Sequence, residues 1–173
     1  KQTKEVCEVA EEQRGLELPG VTEEDYQSAG SKFVTFPPGA KVGDSHFLDI
    51  EIGMVDWDTP GSSMKVPITV TEEGTDKGKE EKLSFGVLPN GIWKGKEIYR
   101  AITGGDMPMK EGADGKRHPV IDPMALAGKA AVGHWQMQKG VKGGVVGAET
   151  VTYPKLVAIL PAGGKPTVES LGI

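Results

Sequence analysis

The chain has 173 residues, 37% hydrophobic and 26% charged, with 25 glycines, 12 prolines and a single cysteine. That composition suits one packed domain of ordinary size and excludes a wholly disordered chain, an intrachain disulfide and a metal site built on several thiolates. No apolar run approaches the ~18 residues of a bilayer-crossing helix, no secretory leader core is visible, and an isoelectric point near 5.3 is far from that of a strongly basic nucleic-acid binder.

The net charge of −5 is unevenly spread. Residues 1–30 hold three basic and eight acidic side chains, whereas the other 143 residues carry 17 of each sign. From Gly128 onward five lysines face two glutamates, so an acidic head precedes a mildly basic end. In the head, the spacing predicts a short helix over Glu5–Arg14, stopped by Gly15 and Pro19, and a second turn capped by Thr22. Cys7, alone among acidic residues, reads as an incidental thiol.

From Ser31 the pattern changes to period two. Pro37, Pro38 and Gly39 lead into a long strand with Leu48, Ile50, Ile52 and Met54 on one face and Phe47, Asp49, Glu51, Val55 and Trp57 on the other. Gly53 marks the place where such a strand bends. DTPGSS is a turn. A second strand puts Met64, Val66, Ile68 and Val70 on one face, and a charged hairpin tip, EEGTDKGKEE, leads to a third with Leu83, Phe85 and Val87 inward. PNGIWKGKEIYRAITGG predicts a helix presenting Ile92, Trp93, Ile98, Tyr99 and Ile102 to the core and ended by Gly104–Gly105. On that reading Trp93 plugs the core. DMPMKEGADGKRHPV reads as a loop, and IDPMALAGK as one helical turn with Asp122 as cap and Pro123 at the first position. Strands four and five follow, at roughly 130–138 and 149–160, joined by a Lys- and Gly-rich tip.

Three strands, a helix and two strands make an all-β, β-rich domain in the order of an OB-fold, a five-stranded Greek-key barrel. The expected organisation is an acidic segment over 1–30, an OB-fold-like domain over 31–163 and a tail over 164–173. FPPGAKVG at the entry to strand one, LSFGVLP before a Trp-bearing helix, IDPMALAGK before strand four and VAILPAG closing strand five together resemble phage-encoded OB-fold proteins of the single-stranded-DNA-binding type. The resemblance spans about 31–163 and departs from the family at Val42, where an aromatic is usual, and at a C-terminus without an acidic, aromatic-ended tail.

An OB-type binder of single strands needs ring faces for bases and cations for phosphates. The candidates are Trp57 beside the first interstrand turn, His134, Trp135 and Tyr153 on the last two strands, Lys139 and Lys142 on their tip, and Lys65 and Lys129 as extensions of the track. His134 and Trp135 are neighbours, so only one of them faces the core. The glycine-rich tip suits either a finger closing on a strand or an edge kept soluble by lysine.

Enzymatic chemistry finds little support. His46, His118 and His134 are dispersed, and no metal-ligand, phosphate-loop, nucleophile-elbow or zincin spacing occurs. Asp114, Lys116, Arg117 and His118 share one loop, and Asp56 and Asp58 flank Trp57, both arrangements common in solvated turns. The chain therefore reads as a non-enzyme with no metal and no cofactor. Its expected role is sequence-independent single-stranded DNA binding in phage replication or recombination, in the host cytoplasm, with self-association possible and no membrane. The acidic head would contact a protein partner or compete with DNA for the groove. The alternative is a virion decoration or assembly subunit that binds no nucleic acid.

Overall fold

A computed structural model of the chain describes residues 15–23, 33–141, 147 and 149–166. The helix expected over Glu5–Arg14, the turn following Thr22 past Glu23, Lys142 on the hairpin tip and the tail beyond Pro166 lie outside those residues. The chain divides into two compact units, Lys1–Lys32 and Phe33–Ile173. In the first, the Val21 N–H donates to the Leu18 carbonyl at 3.0 Å and closes a turn over Pro19 and Gly20, a pair suited to its two central positions.

The second unit is β-rich, with antiparallel sheets. Its first strand, β1 (Ser45–Ile52), buries Leu48, Ile50 and Ile52 as period-two alternation requires. The alternation does not run through to the next strand, β2 (Asp56–Thr59): Val55 is buried and Met54 is exposed, the reverse of the expectation. The reason lies in the register against β3 (Ser63–Val70), where Ile52 pairs with Ile68 but Asp56 pairs with Lys65. Four steps on one side meet three on the other, so one extra residue turns every later side chain over. Gly53 permits the close approach: a Cβ there would lie 3.1 Å from Pro67 Cγ and 3.3 Å from its carbonyl oxygen.

Strand β3 also pairs along its length with β4 (Glu80–Gly86), and Val66, Ile68, Val70, Leu83 and Phe85 are buried as expected. The helix α1 (Ile92–Thr103) follows and ends at Gly104, which takes the left-handed conformation at φ 80° with its N–H on the Arg100 carbonyl. Gly95, Ile98 and Ile102 form its buried stripe. A Cβ on Gly95 would come within 2.6 Å of the Phe85 ring, so this glycine lets the helix settle on β4. Trp93 is 60% exposed and plugs nothing. At about 100° per residue it points roughly 140° away from Ile98, off the buried stripe.

The segment expected to be a loop instead forms a two-stranded hairpin, β5 (Met109–Glu111) with β6 (Arg117–Pro119). The turn helix α2 (Pro123–Leu126) is as the sequence predicts, with the Asp122 carboxylate accepting from the Met124 N–H at 3.0 Å. Last come the long strands β7 (Ala130–Val141) and β8 (Thr150–Pro161).

The main sheet runs β2–β3–β1–β7–β8, with β4 on the other side of β3. It is not closed, because no backbone ladder joins β4 to β8. One side chain spans the gap: Glu81 of β4 accepts from the buried Trp135 indole N–H at 2.6 Å and from the Leu156 backbone N–H of β8 at 3.2 Å. A strap before β1 is fastened to the β3–β4 tip in a similar way. Asp76 is only 7% exposed and accepts from the Thr35 N–H (3.0 Å) and Lys79 (2.8 Å), while Lys79 also reaches the Phe33 carbonyl (2.8 Å). The tip is thus less purely solvated than its charge suggests.

Candidate nucleic-acid interface

Alternation along each strand sorts the candidate residues onto separate surfaces. On β7, Trp135 is the inward member of the His134–Trp135 pair and is 0% exposed, so its ring is not available to a base. Gly133, two residues earlier on the same face, leaves the room: a Cβ there would lie 2.4 Å from the indole. This corrects the expectation of Trp135 as a stacking residue.

His134 points outward. Its ring stacks on Phe47 of β1, centroids 4.5 Å apart and planes 19° from parallel, and its Nε2 is 2.8 Å from the Ser45 hydroxyl. The pairing of Phe47 with His134 in the ladder brings the rings together. Burial pushes the His134 pKa down, so the ring is neutral at pH 7 and offers a face rather than a charge.

Tyr153 lies on the same outer face of β7–β8, paired with Gln138. Its ring lies across Gly140, where a Cβ would come within 2.5 Å of the ring edge. Lys155 is exposed and pairs with Gln136, which adds a cation and two amides to this face. Phe47, Gln136, Gln138 and Lys155 were not among the sequence candidates. The outward phase of Phe47 was visible in the alternation, but its partner depends on a register that no local pattern states.

Lys139 is exposed and pairs with Thr152, one step out of phase with Tyr153, and Lys129 is exposed just before β7. Lys65 and Trp57 part company. Trp57 pairs with Met64 on the side of β3 that faces inward, whereas Lys65 pairs with Asp56 on the outer side. Trp57, 45% exposed, stands in the wall of a groove of about 510 Å³ with Met64, Val87, Ile92 and Met107. The outer side of β2–β3–β4 carries one ion pair, between Asp58 and Lys82. Asp58 accepts from Lys82 and Ser84, each at 3.2 Å, and the Lys82 contact, ahead of Ser84, holds its carboxyl below the usual range.

His118 of β6 bonds to both Asp114 carboxylate oxygens at 2.9 Å, and this contact lowers the Asp114 pKa. Among the described residues no three His, Cys, Asp or Glu side chains cluster as metal ligands, and no helix is long and apolar enough to cross a membrane. Compared with protein-family models, curated proteins and solved structures, the chain matches none.

Proposed function

We propose that the Phe33–Ile173 unit is an OB-type domain that binds single-stranded DNA without sequence preference, on the outer face of β1, β7 and β8. The strand order supports the OB reading: β4–β3–β1–β7–β8, with a helix between β4 and β7 and the ends of the order approaching at Glu81. The resemblance of FPPGAKVG and IDPMALAGK to phage single-strand binders points the same way.

The observation that carries the reading is that the β1–β7–β8 register puts the Phe47–His134 stack, Tyr153, Gln136, Gln138 and Lys155 on one face. Ring faces accept any base, and each stacked base contributes roughly 1–3 kcal/mol. With few cations near the rings, binding leans on stacking more than on phosphate contact.

Fluorescence anisotropy of labelled oligo-dT tests this. Tyr153→Ala is expected to weaken binding about tenfold. The salt slope of log K is expected to be shallow, about −0.7 to −1.4 for one or two phosphate contacts on a single strand. An affinity unchanged in Tyr153→Ala, or no binding at low salt, would contradict the proposal. One observation favours a second reading as an assembly subunit: the outer side of β2–β3–β4, which OB-type binders commonly use, carries Asp56, Asp58 and Glu80 against Lys65 and Lys82 and so has no excess of positive charge to attract phosphates.

A further inference from the structure

The outer face of β1, β7 and β8 is ordered in rows across the strands. Phe47 and His134 form one row, Ser45, Gln136 and Lys155 the next, and Gln138 with Tyr153 the one after. From His134 to Gln138 the β7 backbone advances about 13 Å, at ~3.3 Å per residue. Stacked nucleotides advance only about 3.4 Å each. Bases on the two ring rows are therefore not neighbours in a strand, and a strand that reaches both passes over Gln136 and Lys155. Lys155 is exposed and in no ion pair among the described residues, so its ammonium is open to the phosphates that bridge the rows.

In the other direction along β1 the chemistry reverses. Asp49 and Glu51 share the outward phase of Phe47, and both are exposed and in no ion pair among the described residues. Asp49 pairs with Val132 and Glu51 with Ala130, and Val132 pairs in turn with Leu160, so no ring stands beyond the Phe47–His134 stack. The cation closest in register, Lys129, accepts from the Ile52 N–H and falls in the inward phase of Ile52, not in that of Glu51. Lys165 is already engaged by Glu72. A strand running that way meets negative charge and no platform.

We infer that this face takes a short stretch of about four nucleotides, at the small end of OB-fold site sizes, with Lys155 on the phosphates between the two ring rows and Asp49 and Glu51 ending the track. The inference rests on the nucleic-acid reading of the same face and adds its extent and its stop.

Fluorescein-labelled oligo-dT of two, four and twelve nucleotides, titrated into the full chain, tests it. Affinity is expected to rise about tenfold from two to four nucleotides, and by less than about threefold from four to twelve once overlapping placements are counted. Lys155→Gln is expected to weaken the tetranucleotide about threefold and to flatten its salt slope by about 0.7. Asp49→Asn combined with Glu51→Gln is expected to tighten the twelve-nucleotide strand about threefold and to leave the tetranucleotide unchanged. All three side chains are exposed, and thermal melting of each variant verifies the fold. A steady climb in affinity to twelve nucleotides, an unchanged salt slope in Lys155→Gln, or equal tightening of both lengths by the carboxylate variant would each overturn the inference while leaving strand binding in place. Failure of every length to bind the parent chain would remove the nucleic-acid reading and the inference with it.

Discussion

Glu81 takes two donors that have no other partner in the gap between β4 and β8: the Trp135 indole N–H and the Leu156 backbone N–H. A buried donor left unpaired costs about 1–3 kcal/mol. Glu81→Ala is therefore expected to lower the urea-unfolding free energy by about 2–4 kcal/mol, and Glu81→Gln, which keeps one carbonyl acceptor, by about half as much. Equal losses in the two variants would contradict this, because the one carbonyl acceptor that glutamine keeps would then contribute nothing. Gly95 is a case where space overrides propensity. Gly95→Ala gains about 1 kcal/mol of helix propensity but drives a methyl into the Phe85 ring, and overpacking costs about 1–3 kcal/mol. A net loss of about 1 kcal/mol is expected, and a stabilised variant would mean that Phe85 yields freely. The sequence held a usable clue to Trp135, since Gly133 shares its face and makes room for a large ring. It held no comparable clue to Glu81, whose partners lie 54 and 75 residues away.

Among the elements, β1, β3 and β4 were readable because burial enforces period two. So was the end of α1, where Gly104 takes a conformation that other residues resist. The β1–β2 break escaped that logic, since one inserted residue leaves the composition unchanged while reversing the faces. The β5–β6 hairpin escaped too, because two strands of three residues are too short for a period to show. The strap before β1 carries a pH prediction. Burial pushes the Asp76 carboxyl up, but the hydrogen bonds from Lys79 and Thr35 outweigh it and hold the pKa below its ordinary value. A depressed folded pKa means stability present in full above the unfolded value and lost as the pH falls through the folded one. Asp76→Asn is thus expected to cost about 1 kcal/mol near neutral pH, and its difference from the parent chain should close below about pH 4. A difference that stays constant from pH 7 to pH 3, followed by urea midpoints, would contradict this.

At the scale of the whole molecule, the β-rich character was foreseeable from hydrophobic periodicity, but the number of strands, eight among the described residues rather than five, and the allocation of faces were not. Trp57 and Lys65 belong to opposite sides of β3's sheet, and Trp135 belongs to the core. Two surfaces remain with distinct chemistry: a ring-bearing face on β1–β7–β8, and a largely apolar groove beside α1. The account rests on the first of these receiving the nucleotides. Photocrosslinking of an iodouracil-substituted oligonucleotide, followed by peptide mass spectrometry, addresses that directly. Adducts are expected on Phe47, His134 or Tyr153; adducts confined to Trp57 or Trp93, or none at a saturating oligonucleotide concentration, would contradict it.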